Sequence, residues 1–292
     1  MSTYNLTAIL VTFNKLPSKE VIKKILDSGV NNICLVNNNK EFNKENYLDS
    51  LDNIYFLNNE NLGGLAGAYN KALNYIYKNI SDSTHIVFLD DDSDFSALQK
   101  FVNSKFTQKF LINHERMVMS PRYIETATQM LGRCVRLKKF HYKVFSPTKK
   151  EPVRVSFVIN SFSIWPVNVI SEIGKFDTKL GIDHVDTDFC MRAKALNVPI
   201  YINNEVKFNH TIGNRIYYRF LWLHLQSSGH HPYRKELIIR NTRILMFRYG
   251  FKEISFLFLC VVRIAYEFMS VIFAEKNKVK KIFFMTKGFF TN

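Results

Sequence analysis

The chain has 292 residues, is 47% hydrophobic and 22% charged, and carries a formal charge of +15, so it can bury a substantial core and is not a disordered segment. The charge is uneven: from Arg215 onward 14 Lys and Arg face 4 Glu, and the first 214 residues are nearly balanced. The cysteines Cys34, Cys134, Cys190 and Cys260 lack zinc-site spacing, which predicts reduced structural thiols, and the N-terminus lacks the basic start and long apolar run of a secretory signal.

In chain order the pattern predicts a strand at 6–12, a helix at 18–28, strands at 32–36 and 54–57, a helix at 65–80 and a strand at 84–89. Ser18 can cap the first helix and Gly29 can close it. Short apolar runs alternating with helices imply an α/β fold, a Rossmann-like and mostly parallel sheet with helices on both faces. A helix after Phe95, a strand near 117–120, a strand at 154–164 and a helix at 167–173 follow. Beyond a turn at 174–177 come the acidic cluster, a helix running through Leu196, and strands at 199–202 and 206–208. The basic, aromatic segment at 133–143 fits no element clearly.

In such sheets ligands bind beyond the carboxyl ends of the strands. Those ends carry Thr12-Phe13-Asn14, Asn37-Asn38-Asn39, Asn58-Asn59-Glu60 and Asp90-Asp91-Asp92. Asparagines at strand ends are either ligand contacts or ordinary loop residues. Three adjacent carboxylates repel one another unless water, a cation or basic groups offset them. Asp90 and Asp92 form a DxD pair, whose oxygens suit a divalent cation bridging the phosphates of a nucleotide diphosphate. Asp91, between them, is counted with the nucleotide contacts, although its side chain is expected to point away.

Asn61-Leu62-Gly63-Gly64 joins a strand end to a helix start. Its glycines either let backbone N–H groups approach an anion or make a tight turn for close helix packing. Asn160, Ser161 and Ser163 interrupt an apolar run, where a backbone or a ligand can come close. Asp183, His184, Asp186 and Asp188 open a helix; acids there are favourable dipole partners, and Asp186 is the choice for a base that deprotonates a hydroxyl. His210 follows a strand and can join carboxylates around Mn²⁺ or a similar ion.

Taken in order, Val11-Thr12-Phe13-Asn14, Val36-Asn37-Asn38, Asn61-Leu62-Gly63-Gly64, Asp90-Asp91-Asp92-Ser93, Val185 to Arg192 and His210-Thr211-Ile212-Gly213 resemble a family 2 glycosyltransferase of GT-A fold. The likeness is to the bacterial rhamnosyltransferase and galactofuranosyltransferase branch. It implies inverting transfer from a nucleotide diphosphate sugar to a glycan or lipid-linked glycan acceptor, with Mn²⁺ or Mg²⁺. The resemblance assigns Thr12, Phe13, Asn14, Asn37, Asn61, Gly63, Gly64, Asp90 and Asp91 to the donor. It assigns Asp90, Asp92 and His210 to the metal, Asp186 to the base, and Asp188 to the acid that follows it before the helix; Ser161, Asp183, His184 and Asp188 are expected on the acceptor side. The family usually has Asp where this chain has Asn37, which leaves the donor's base less defined.

The expected organisation is a catalytic domain at 1–215, with a nucleotide-sugar half at 1–95 and an acceptor half at 96–215, followed by a basic helical extension at 216–292 for membrane association or dimerisation. The stretch at 254–274 is apolar but interrupted by Arg263, Glu267 and Ser270. It either spans a bilayer, lies on an anionic membrane surface or packs on the domain. The expected location is cytoplasmic, at the inner face of the plasma membrane, and self-association is left open. A nucleic-acid-binding reading of the basic tail leaves the acidic triplet unexplained and finds no finger, RRM or KH signature. A sugar nucleotidyltransferase wants a glycine-rich basic loop after the first strand, where Thr12-Phe13-Asn14-Lys15 stands.

Overall fold

A computed structural model describes residues 4–13, 15–41, 51–91, 94–211, 216–220 and 223–291. The chain begins with β1 (Leu6–Thr12), α1 (Lys19–Asp27), β2 (Asn32–Asn37), β3 (Ile54–Asn58), α2 (Gly64–Asn79) and β4 (His85–Asp90). Next come α3 (Ser96–Val102), α4 (Lys105–Ile112), β5 (Val118–Glu125), β6 (Cys134–Leu137), β7 (Tyr142–Phe145), β8 (Val153–Val155) and β9 (Ile164–Pro166). The order continues with α5 (Val167–Ile173), α6 (Val185–Ala195), β10 (Ile200–His210), β11 (Ile216–Phe220), β12 (Leu223–Ser227), α7 (Pro232–Tyr249), α8 (Ile254–Ala274) and α9 (Lys278–Phe290). The chain forms two compact units, Met1–Ile124 with Ser146–His210, and Glu125–Phe145 with Thr211–Asn292.

The first unit is built on an eight-stranded sheet of order β3-β2-β1-β4-β9-β5-β10-β8. β1 runs parallel to β2 and β4, with Thr12 opposite Asn37 and Val11 opposite Asp90. That register brings the polar ends of three strands to one edge of the sheet. Every residue of β1 and β2 is buried, as expected of strands covered on both faces. Leu10, Leu35 and Leu89 share the core with Phe101 and Phe110 of α3 and α4. β9 is antiparallel to both β4 and β5, so the sheet is mixed beyond β4.

Three expectations change. The strand at 154–164 is instead β8 and β9, separated by a turn. Phe162 has a left-handed φ of 64°, and both the amide and the hydroxyl of Ser163 donate to the Asn160 carbonyl. Local side-chain bonding of this kind outcompetes the ladder despite the apolar residues around it. The two short strands at 199–202 and 206–208 are one strand, β10, whose polar residues Asn203 and Asn204 are buried and bonded to Thr107, Ser104 and Lys149. The segment at 133–143 falls on the β6–β7 hairpin, with Val135 opposite Val144.

In the second unit α7, α8 and α9 pack around Ile239, Val271 and Met285. Gly288 is required there: a Cβ would stand 2.4 Å from the Glu236 carbonyl oxygen. Lys235 is fully buried and makes 2.8 Å ion pairs with both Glu267 and Glu275. Lys281 and the Ser227 hydroxyl also bond Glu275. Burial alone raises the Glu275 pKa, but the bonds from Lys235, Lys281 and Ser227 outweigh it and hold the carboxyl below its ordinary value.

Candidate active site

The strand-end asparagines bond chiefly to one another. Asn37 is buried, donates to the Asn58 side chain at 3.0 Å and accepts from the Asn39 amide at 3.0 Å. Asn38 accepts from Asn59 at 2.8 Å and donates to Asn61 at 3.2 Å. This lattice ties residues 37–39 to residues 58–61, using the donor and the acceptor that each side-chain amide carries. Thr12 is buried, with its hydroxyl 3.4 Å from the Val36 carbonyl. Phe13 is half exposed at the same edge. Asn14 and Asp92 lie outside the described residues.

Asp91 does not point away from the site edge. Its carboxylate accepts from the Phe13 amide at 2.9 Å and so ties the end of β4 to the end of β1. Asp90 ends β4 partly exposed, with one carboxylate oxygen 3.5 Å from the Tyr69 hydroxyl.

Gly63 and Gly64 have φ values of 70° and 63°. A Cβ on Gly63 would stand 2.9 Å from Thr178, and one on Gly64 2.9 Å from the Gly181 carbonyl oxygen. The Ala66 amide donates to that same carbonyl at 3.1 Å. Of the two readings of this loop, the close-packing one matches these contacts: a peptide oxygen takes one N–H of the α2 start. The same contacts tie the start of α2 to residues 178–181, which lead directly into Asp183 and α6.

Two α2 residues absent from the sequence expectations complete this link. Asn70 donates to the Phe176 carbonyl at 2.9 Å and accepts from the Phe176 amide at 2.8 Å. Tyr69, fully buried, packs its ring on Phe88 and Phe176 at centroid distances of 4.8 and 5.0 Å. Burial, followed by the charges of Asp90 and Asp186, pushes its phenol well above the usual tyrosine value. One neutral hydroxyl thus feels both carboxylates.

His184 has a left-handed φ of 66° at the start of α6, with its ring nitrogen 3.4 Å from the Thr187 hydroxyl. The Asp186 carboxylate accepts from the Thr187 amide at 2.7 Å, which restricts its rotamer. Asp188 is buried and ion-paired to Arg192 at 2.8 Å. Arg192 also donates to the Ile173 and Lys175 carbonyls, so this pair fastens α6 to the turn after α5. Ser161 is buried in the turn before β9, and Asp183 precedes α6 half-buried.

His210 ends β10 beside the rings of Tyr123 and Phe208. Its neighbour Asn209 donates to Asp94 at 3.1 Å, bringing that strand end to the segment that follows the aspartate triplet. Among the described residues no three His, Cys, Asp or Glu side chains form a metal cluster. Asp90 at the end of β4 offers hard carboxylate oxygen and His210 at the end of β10 an imidazole nitrogen, donor types that a divalent cation takes.

Residues 7–105 match the family model described as glycosyl transferase family 2. This segment belongs to glycosyltransferase family 2. The chain is 22% identical to the dTDP-rhamnosyl transferase RfbF of Shigella flexneri over 250 residues, which cover 83% of this chain and 80% of the relative. The structure of GalNAc-T7 with UDP, GalNAc and Mn²⁺ matches with a TM-score of 0.52 at 13% identity, over 81% of this chain. The match covers 47% of that longer chain, and at this identity it speaks for the GT-A fold alone.

Proposed function

We propose that the protein transfers a sugar from a nucleotide diphosphate sugar to a hydroxyl of a growing, lipid-linked bacterial surface polysaccharide, with inversion. The observation that carries this reading is the Asp90 carboxylate at the end of β4, 3.5 Å from the hydroxyl of buried Tyr69, whose pKa the charges of Asp90 and Asp186 both raise. A donor of dTDP-rhamnose type is favoured by the similarity to the Shigella flexneri rhamnosyl transferase; a UDP-galactofuranose or UDP-galactose type is the alternative.

Thr12, Phe13, Asn37 and Asn61 line the edge where the nucleoside would lie, with Asp91 holding the Phe13 backbone in place. Asp186 accepts the acceptor hydroxyl's proton as the oxygen attacks the anomeric carbon and the diphosphate departs. Tyr69, neutral at physiological pH, offers Asp90 a hydrogen bond without adding charge. Ser161, Asp183 and His184 stand on the acceptor side, and Asp188 acts through Arg192 to orient α6. A divalent cation held by Asp90 with Asp92 and His210 would offset charge growing on the leaving diphosphate.

The proposed location is the inner face of the plasma membrane, where a lipid-linked acceptor would be met. Calorimetric titration of the full chain with dTDP and UDP, each with and without Mn²⁺, tests the donor reading. Metal-dependent binding of one nucleotide, weakened in Asp90→Ala, is expected; binding of neither overturns it.

A further inference from the structure

The second unit separates its charges. Of its tail acids, Glu236, Glu267 and Glu275 are buried and paired with Lys287, Lys235 and Lys281, and Glu253 is half-buried. The exposed ionic side chains from 247 to 291 are all basic, among them Lys252, Arg263, Lys276, Lys278 and Lys280. The exterior is therefore cationic well beyond what the net charge alone requires.

Through this basic surface runs an apolar stripe. Phe258, Val261, Val262, Met269 and Ile272 are each 40–52% exposed, at spacings that put them on one face of α8. Phe251, at 75%, and Val279, at 84%, extend the exposed apolar surface beyond the two ends of that helix. α8 is long and apolar enough to cross a bilayer by composition. Its other face, however, is committed to protein: Phe256, Cys260, Ser270 and Val271 are buried, and Glu267 is bound to Lys235 of α7. Spanning would require breaking that buried pair and exposing its charges to hydrocarbon.

We propose that α8 lies in the plane of an anionic lipid surface, its stripe among the acyl chains and the lysines of the α8–α9 corner on the headgroup phosphates. This names the contact surface for the membrane placement proposed above and rests on that reading. An open recess at the corner is lined by Lys276, Lys278, Lys280 and Phe283, a combination of charge and aromatic surface that suits the interface. A second copy would meet the same positive charge, and a nucleic acid would leave the stripe exposed to water, so lipid answers both features.

Flotation of the full chain with phosphatidylcholine vesicles, with and without phosphatidylglycerol, tests the seat. Binding is expected only with phosphatidylglycerol, released by alkaline carbonate. It should weaken about thirtyfold in Lys278→Gln/Lys280→Gln, at roughly 1 kcal/mol per basic residue, and be lost in Val262→Glu. No flotation of the unaltered chain, or retention after carbonate as a spanning helix would show, overturns the proposal. So does a concentration-dependent dimer that Val262→Glu dissolves while flotation persists. Release of nucleoside diphosphate from donor sugar in lipid-free buffer, unchanged in these variants, shows that they are folded. If the unaltered chain floats but releases none from any donor, the lipid seat stands and the transferase reading falls.

Discussion

The Tyr69 hydroxyl stands 3.5 Å from a carboxylate oxygen of Asp90 and also feels the charge of Asp186, from inside a fully buried position on α2. A single helix thereby reaches the proposed donor side and the proposed base. Tyr69→Phe keeps the ring packing on Phe88 and Phe176 and removes only the hydroxyl. Its effect on stability should stay near 1 kcal/mol, while transfer falls about tenfold, an expectation checked by thermal unfolding alongside nucleoside diphosphate release.

Asp186→Asn preserves an oxygen that can accept from the Thr187 amide, so α6 should form unchanged. Donor binding should be retained and transfer to acceptor should drop roughly a hundredfold or more, as expected for loss of a general base. Near-normal turnover would remove Asp186 from that role.

Asn70→Ala deletes both bonds that clamp Phe176. A cost of about 2 kcal/mol is expected from two such bonds, read as a lower denaturant midpoint. Asn70→Asp keeps the acceptor for the Phe176 amide and should recover part of the loss.

Gly64→Ala places a methyl group 2.9 Å from the Gly181 carbonyl oxygen at a φ of 63°. The left-handed backbone alone costs roughly 1–2 kcal/mol, and the contact adds to it. A melting temperature equal to that of the unaltered chain would contradict the packing described for this loop.

Burial, with His114 stacked beside it, lowers the pKa of His85 from 6.5 to about 4. The native state therefore holds this ring neutral while the unfolded chain protonates it. Its stability contribution is complete above about pH 6.5 and declines as pH falls toward 4, by about 3 kcal/mol in all, from the linkage of the two pKa values. Thermal unfolding between pH 7 and 4, where carboxylates add their own slope at the acid end, should show a shallower decline in His85→Phe.

Much of the first unit can be read from sequence because β1, β2 and β4 are continuous apolar runs that the fold buries on both faces. The acidic strand end is legible for the same reason: nothing in packing calls for three carboxylates there. Tyr69 and Asn70 escape that reading because a tyrosine and an asparagine within a helix look like ordinary core and surface, and their partners lie 21 and 106 residues away. Phe157, Val158 and Ile159 suggest strand by composition, but the turn made by Asn160 and Ser163 decides otherwise. Asp188 reads as a site acid until its ion pair with Arg192 is visible.

The central claim is sugar transfer from a nucleotide diphosphate donor at the Asp90 edge, and donor hydrolysis tests it without knowledge of the acceptor. The purified full chain, given dTDP-rhamnose and UDP-galactofuranose with Mn²⁺ or Mg²⁺, should slowly release dTDP or UDP from one of them, and Asp90→Ala should abolish that release. No release from either donor by a folded chain that also fails to bind both nucleotides would contradict the account.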